Sequence, residues 1–136
     1  IANDPTLLLK MTQPNMEFEK DPRDHSTPQA MLQLLLAIDS GKGLSAKSRA
    51  FLLATMSRTR TGPGRLKGVL PNGTPVAHKT GTIGGVANDV GFITLPDGRR
   101  FAIAVFTNSS TTSTADQERA IAEVTRDLYD FYYLKS

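Results

Sequence analysis

The stretch VAHKTGTIGG, residues 76–85, decides how the chain can fold. Its first five residues suit an extended strand, in which successive side chains face opposite sides. Gly81 has no Cβ, so another backbone or a ligand can lie against the strand edge there. Lys79 adds a cation at that point, and Thr80 and Thr82 add short hydroxyl donors. These residues predict a strand edge that pairs with an anionic, amide-containing substrate as one more strand would. An ordinary solvated Lys-Thr-Gly turn is the alternative.

The composition indicates one folded domain, since the chain has 136 residues, of which 39% are apolar and 21% are charged. No apolar run approaches the roughly 20 residues that span a bilayer, so no membrane span is predicted. The net charge is only +3, and no aromatic residues interleave with the basic side chains of residues 58–67. This pattern argues against a nucleic-acid partner.

The supply of metal-ligating side chains is poor. Cysteine is absent, which excludes disulfides and thiolate metal sites, and His25 and His78 lie far apart in the sequence. We therefore predict neither a metal site nor a cofactor. The first ten residues lack the basic start and small-residue cleavage site of a secretion signal, and the chain begins with Ile. We expect a processed or truncated product.

Two helices are predicted before the strands. A hydroxyl cap at Ser26 or Thr27 followed by proline favours a helix over 28–39, and Ser45 can cap a second helix over 45–57. The predicted inner faces are Met31, Leu34, Leu35 and Ile38 in the first helix and Phe51, Leu52, Thr55 and Met56 in the second. Residues 1–25 are predicted to be irregular, although TLLLKM, residues 6–11, could close a helix.

Three strands and a helix are predicted in the second half. The strands are residues 74–80, 88–95 and 100–107, and PDG at 96–98 is a hairpin turn between the last two. Both faces of the second and third strands are apolar, so we expect layers on both sides of the sheet. The C-terminal helix is amphipathic, with a shared apolar face of Ala120, Ile121, Val124, Leu128 and Tyr132.

At this point the sequence resembles a known family. RLKGVLPNGTPVAHKTGT at 65–82, NDVGFITLPDGRRFAIAVFT at 88–107 and the terminal helix are similar to the C-terminal half of class A serine β-lactamases. The likeness is closest to the extended-spectrum and Bacteroides-type branch. DPRDHSTPQAM at 21–31 resembles the end of that family's Ω-loop and the start of its next helix.

The resemblance implies an α/β fold, more fully an α+β sandwich. It contains a three-stranded antiparallel meander packed by the C-terminal helix, and further helices from a helical subdomain. We expect residues 1–136 to form a single partial domain. Its parts would be an Ω-loop-like segment at 1–25, helices at 26–62, and strands and the C-terminal helix at 63–136.

The resemblance also implies roles for the Lys-Thr-Gly element. Lys79 would line the active site and help to hold the substrate carboxylate, and Thr80 would hydrogen-bond that carboxylate. Gly81 would lie beside the substrate, and Thr82 would lend its backbone N–H to the oxyanion hole. His78 has no catalytic role in the family and is interpreted as a strand residue satisfied by its neighbours. The implied substrate is a β-lactam or a peptidoglycan-like peptide, and the implied location is the periplasm or the cell exterior.

Several family elements are absent from this sequence. No Ser has a Lys three residues later, and S-D-N does not occur. We expect both in a complementary N-terminal segment of the same protein. The position of the family's deacylating Glu is occupied by Met11, and the nearest carboxylates are Glu17 and Glu19. Ordinary surface charge is the alternative interpretation of these two glutamates.

An arginine of the family pattern is also missing, because Val90 precedes Gly91 in the second strand. Arg65 or Arg119 could supply that charge, and the sequence leaves both open, although Arg119 fits the solvent side of the last helix better.

Three functions remain open at this stage. The first is the C-terminal portion of a serine β-lactamase that opens the β-lactam ring through an acyl-enzyme. This enzyme would be active only when the missing segment supplies the nucleophile. The second keeps the fold but retains the acyl group, as in a D-Ala-D-Ala peptidase or penicillin-binding protein. The third is a non-catalytic module that binds peptides.

Overall fold

The computed structural model describes residue 6 and residues 13–135, and its centre is a three-stranded antiparallel sheet. The strands are β1, Val76–Ile83, β2, Val86–Thr94, and β3, Arg100–Val105, in the spatial order β1-β2-β3. The predicted meander is therefore confirmed. Strand β1 lies at one edge of the sheet.

The main difference from the predicted strands concerns the hairpin between β1 and β2. The prediction ended β1 at residue 80, whereas the strand continues to Ile83, because Gly81 pairs with Asn88 and Thr82 pairs with Ala87. The glycine therefore continues the ladder instead of ending it. The turn is correspondingly short, and Gly85 adopts a φ of 72°, a left-handed conformation that glycine accepts without strain.

Four α-helices lie wholly within residues 13–135. They are α1, Met16–Lys20, α2, Pro28–Ser40, α3, Ala46–Ser57, and α4, Thr114–Leu134. Thr27 and Ser45 cap α2 and α3, since their side-chain oxygens accept from Ala30 N and Ser48 N at 3.1 Å. The predicted helix starts are confirmed to within a residue.

The sheet is covered on both faces, as predicted. Helix α4 packs on one face, where it contributes to a core of Leu66, Val76, Ala87, Ile93, Leu95, Ile103, Ile121 and Tyr129. Helices α2 and α3 cover the other face around Leu35, Met56, Val90 and Phe92. Alternate residues of β2 contribute to the two cores, since Val90 and Phe92 belong to one and Ile93 to the other.

Several predicted helix faces were partly wrong. Leu34 is 53% exposed and Phe51 is 70% exposed, whereas Leu53 packs against the sheet. On α4, Ala120, Val124 and Tyr132 lie on exposed positions and the buried aromatic ring is Tyr129. Each helix contacts the sheet along a narrower stripe than the apolar pattern suggested, since many apolar side chains of a folded protein remain at the surface.

The segment predicted as an irregular loop contains short helices. Asn15 caps α1 because its Oδ1 accepts from the backbone N–H groups of Glu17 and Phe18, both at 3.1 Å. A 3₁₀ turn, Pro22–Asp24, follows. Residues 7–11 of the proposed helix end at TLLLKM, Met11 among them, lie outside the described residues. Within the described part of the chain, no helix is long and apolar enough to cross a membrane.

Candidate active site

Strand β1 borders a concave opening of about 750 Å³. Lys79, Thr80, Gly81 and Thr82 all line it, so the structure brings together the four residues of the predicted site. The opposite wall and the rim come from α1, the segment before α2, the start of α2 and the ends of β2 and β3. Their lining residues include Phe18, Glu19, Asp24, His25, Thr27, Met31, Asn88, Thr107 and Asn108.

One contact shows which N–H and C=O groups of β1 point away from β2. The hydroxyl of Thr59 donates to the carbonyl oxygen of His78 at 2.6 Å, from outside the sheet. Because alternate residues of a strand direct their N–H and C=O groups to the same edge, the backbone groups of Thr80 and Thr82 also point outward. This is the direction that backbone pairing with a substrate would require.

Lys79 supplies positive charge at the edge. Its side chain is exposed, and its Nζ donates to the carbonyl oxygen of Thr80. Among the described residues it forms no ion pair, so its charge is not neutralised by a neighbouring carboxylate. An anionic group in the opening would therefore meet an uncompensated cation.

Thr80 is buried and oriented by a second threonine. Its Oγ1 lies 2.6 Å from Oγ1 of Thr61, in the loop after α3. The loop can approach because Gly62, with a φ of 56°, has no side chain. A Cβ there would lie 2.8 Å from Thr80 Cγ2. Thr61 was not identified from the sequence, and no local pattern marks it, because the contact joins residues 19 positions apart.

Arg65 lies directly behind this edge. The residue is 3% exposed. Its Nη2 donates to Thr82 Oγ1 at 2.7 Å, and its Nη1 donates to the carbonyl oxygens of Gly81 and Asn88 at 3.1 and 2.9 Å. Its Nε donates to Glu118 Oε1 at 3.0 Å. The guanidinium thus ties the hairpin of β1 and β2 to α4 and places positive charge beside the site.

Arg119 does not contribute to the site. It is exposed and pairs with Glu123 along the helix at 2.8 Å. That carboxylate raises the pKa of the Arg119 guanidinium through a side-chain hydrogen bond. Of the two arginines that the sequence left open, only Arg65 contacts the strand edge.

His78 and Asp89 form a buried pair beneath the edge. Both side chains are fully buried, and His78 Nδ1 lies 2.8 Å from Asp89 Oδ1. Asp89 Oδ2 also accepts from the backbone N–H of Leu66 at 3.3 Å. The interpretation of His78 as a satisfied strand residue holds for Nδ1 only, because Nε2 has no hydrogen-bond partner among the described residues.

The two candidate glutamates differ in position. Glu17 is exposed on α1 and does not line the opening, whereas Glu19 does. Glu19 Oε2 accepts from the hydroxyl of Ser109 at 2.6 Å. Its Oε1 is buried and has no partner within the described part of the chain. Ordinary surface charge therefore describes Glu17 but not Glu19.

Polar contacts also order the segment between α1 and α2. Asp21 accepts from Arg23 Nε at 2.8 Å, and this hydrogen bond holds the pKa of the Asp21 carboxyl below its ordinary value.

In residues 6 and 13–135, no group of three or more His, Cys, Asp or Glu side chains is placed to hold a metal ion.

Comparisons with known proteins agree with this geometry. The family model described as "Beta-lactamase enzyme family" matches residues 3–132. The extended-spectrum β-lactamase PER-1 of Pseudomonas aeruginosa is 45% identical over 105 residues, which cover 73% of this chain and 34% of that protein. A β-lactamase of Bacteroides uniformis is 41% identical over 121 residues, which cover 83% of this chain and 41% of that protein.

A solved structure shows the same fold. The crystal structure of the TLA-3 extended-spectrum β-lactamase matches with a TM-score of 0.77 and 38% identity, over 94% of this chain and 52% of that chain. The resemblance to the extended-spectrum and Bacteroides-type enzymes is confirmed. The chain spans less than half the length of the two curated relatives. With a family model over most of its length and two such relatives, the chain belongs to the beta-lactamase enzyme family.

Proposed function

We propose that this chain is the C-terminal portion of a serine β-lactamase, which opens the β-lactam ring through an acyl-enzyme. The observation that carries the proposal is the edge of β1. There Lys79, which forms no ion pair among the described residues, lines an opening of about 750 Å³ together with Thr80 and Thr82, whose backbone groups point away from β2. A β-lactam offers the matching groups, namely a carboxylate, a carbonyl oxygen and an amide side chain.

Each residue of the edge has a distinct role in the proposed reaction. Lys79 attracts the substrate carboxylate, and the hydroxyl of Thr80, oriented by Thr61, donates to it. The backbone N–H of Thr82 points at the carbonyl oxygen that becomes an oxyanion when the nucleophile attacks. A fixed donor of this kind is worth about 3 kcal/mol in the transition state. Gly81 leaves the edge open, since a Cβ there would contact only Asn88 Cβ, at 3.9 Å.

The nucleophile would come from a complementary N-terminal segment of the same protein. Two surfaces suit such a segment. Strand β3 has no partner on its outer side among the described strands, and an unpaired strand edge is a site for further pairing. The end of α4 also exposes apolar side chains, with Phe131 at 53% and Leu134 at 78% exposure. Pairing at β3 and packing on α4 would cover both surfaces.

The alternative is a D-Ala-D-Ala peptidase or penicillin-binding protein, in which the acyl group persists. The contacts of the Glu19 carboxylate support this alternative. One of its carboxylate oxygens is occupied by Ser109, and the other is buried from solvent. A general base must reach a water molecule, and this carboxylate does not do so as placed.

A non-catalytic module that binds peptides is the third candidate. A periplasmic or secreted location is proposed for all three.

The test is an assay of the purified chain against a chromogenic cephalosporin, with and without the N-terminal segment of the intact protein. We expect no turnover by the chain alone and turnover on mixing. Stoichiometric acylation without turnover would favour the peptidase. No acylation by the mixture or by the intact protein would favour the binding module. Turnover by the 136 residues alone would contradict the need for a complementary segment.

A further inference from the structure

The loop that follows α3 orients both threonines of the β1 edge. The hydroxyl oxygen of Thr61 lies 2.6 Å from that of Thr80, and Arg65 Nη2 donates to Thr82 Oγ1 at 2.7 Å. We call residues 59–66 of this loop the bracing segment. The orientation of the edge therefore depends on how the bracing segment is held against the sheet.

Arg65 also fixes the direction of one backbone N–H group. Its Nη1 donates to the carbonyl oxygen of Gly81 at 3.1 Å. That carbonyl and the N–H of Thr82 belong to the same planar peptide unit, in which the C=O and N–H bonds point in opposite directions. The contact with the Gly81 oxygen therefore aims the Thr82 N–H away from β2, where the proposed reaction develops its oxyanion.

The buried end of the bracing segment is attached to β2. The N–H of Leu66, the residue after Arg65, donates to Asp89 Oδ2 at 3.3 Å. Leu66 and Asp89 are both fully buried. Asp89 is also the ladder partner of Thr80 across β1 and β2. One buried carboxylate thus fixes the backbone next to Arg65 relative to the edge.

The same carboxylate holds β1 through His78. Nδ1 of His78 lies 2.8 and 2.9 Å from the two carboxylate oxygens of Asp89. An ionised carboxylate only accepts hydrogen bonds, so Nδ1 carries the ring proton and Nε2 is the bare nitrogen. Nε2 is buried and has no partner among the described residues, which is unfavourable for a polar atom. Asp89 therefore joins β1 to the bracing segment at the cost of one unsatisfied ring nitrogen.

We propose that Asp89 is a positioning residue for acylation, because it holds Arg65 in place and thereby aims the Thr82 N–H. This inference rests on the proposed function, since it concerns the oxyanion donor of that site. Asp89 does not line the opening, so it acts through other residues. Without its carboxylate, the Leu66 N–H loses its acceptor and the backbone that carries Arg65 is released. An oxyanion donor acts on the transition state, so the acylation rate falls while substrate binding is kept.

The test compares three variants of the intact protein. Asp89→Ala removes the acceptor of both donors. Asp89→Asn keeps both contacts, because its amide oxygen accepts from the Leu66 N–H and its NH₂ group donates to His78 Nδ1, with the ring proton moved to Nε2. Leu95→Ala is the control for lost stability, since Leu95 is buried just beyond the other end of β2 and its truncation leaves a cavity there.

Three measurements are made on each variant, at a temperature where all are folded. Hydrogen–deuterium exchange of residues 62–66 reports whether the bracing segment is held. The nitrogen chemical shifts of the His78 ring report which nitrogen carries the proton. Single-turnover acylation by a chromogenic cephalosporin gives the rate constant at saturation and the substrate concentration for half-saturation.

We expect Asp89→Ala to speed exchange in residues 62–66 by about tenfold, the scale of one lost hydrogen bond to a charged group. Its acylation rate constant should fall by about a hundredfold, the lower end of the cost of a lost oxyanion donor. The half-saturation concentration should stay within about twofold, because ground-state binding is unchanged.

The other variants should separate position from stability. Asp89→Asn should acylate within about threefold of the unaltered protein, with the His78 proton on Nε2. Leu95→Ala should be less stable but acylate at the unaltered rate. If Asp89→Ala does not fold, Asp89→Ser takes its place, since the serine oxygen lies where the carboxyl carbon was, farther from both donors.

Four results would overturn the proposal. They are unchanged exchange in residues 62–66 of Asp89→Ala, acylation by that variant as fast as by Leu95→Ala, a rise of its half-saturation concentration with no change of rate constant, and acylation by Asp89→Asn as slow as by Asp89→Ala. An intact protein that is acylated by no β-lactam would refute the proposed function instead. Exchange and the ring shifts need no substrate, so they would still decide whether Asp89 holds the bracing segment.

Discussion

Replacement of Arg65 by alanine in the intact protein should give a large loss of stability. The residue is 3% exposed, and its guanidinium donates four hydrogen bonds, to Glu118, Gly81, Asn88 and Thr82. Alanine makes none of them. It also leaves two carbonyl oxygens and one carboxylate without their shared donor, in a cavity the size of the lost side chain.

The size of the loss follows from the surroundings of each partner. Removing one member of a buried ion pair costs about 3–5 kcal/mol, because the remaining charge is buried and unpaired. Glu118 is 26% exposed, so water can replace part of its lost partner. We therefore expect a loss of stability at the lower end of this range, about 3 kcal/mol. With a urea m-value of about 2 kcal/mol/M, the unfolding midpoint should fall by roughly 1.5 M.

The assay is urea unfolding followed by circular dichroism, with two matched variants. Arg65→Lys keeps the charge but not the planar fork of donors, so its unfolding midpoint should lie between those of Arg65→Ala and the unaltered protein. Arg119→Ala removes an exposed arginine from the same region and should cost less than about 0.5 kcal/mol. A midpoint for Arg65→Ala within 0.3 M of that for Arg119→Ala, a margin of roughly 0.6 kcal/mol at this m-value, would refute the reasoning.

Three further results are expected. In the intact protein, Lys79→Ala should lower kcat/KM for carboxylate-bearing β-lactams by roughly 2–4 kcal/mol of transition-state stabilisation, and unchanged steady-state kinetics would remove Lys79 from the site. Asp89→Ala should cost about 3 kcal/mol in thermal or urea unfolding, because it leaves the buried His78 Nδ1 and a backbone N–H without their acceptor. A cost below 1 kcal/mol would show that the pair is not needed. A hydrogen bond from Arg99 lowers the pKa of the Asp97 carboxyl, so NMR titration should place it below the ordinary value of about 3.9, and Arg99→Ala should return it there. Because the folded pKa is depressed, the stability contributed by this contact is present above pH ~3.9 and is lost as the pH falls through the folded pKa.

Much of the fold was predictable because its signals are local. The PDG turn, the proline at the start of α2 and the alternating apolar residues of β2 and β3 each act over a few neighbouring residues. They gave the hairpin between β2 and β3, the helix starts and the apolar character of both faces of β2 and β3. The helix faces were less accurate: Leu34 and Phe51 are exposed. The sequence pattern gives the apolar side of a helix, but the packing against the sheet decides how much of that side is covered.

Part of the candidate site was likewise predictable from the sequence, and part was not. The sequence by itself determined that Lys79, Thr80, Gly81 and Thr82 lie together on one strand, since consecutive strand residues cannot separate. It left both Arg65 and Arg119 open for the missing charge, although Arg119 fitted the solvent side of its helix better, and it left Glu17 beside Glu19.

Only the tertiary structure decided between these pairs. It placed Arg65 behind Thr82 and left Arg119 in solvent, and it joined Glu19 to Ser109 across 90 positions of sequence. The physical reason is that a side chain's partner depends on which segments pack together. Hydrophobic burial on the two faces of the sheet fixes that packing, and no pattern in the neighbouring residues records it.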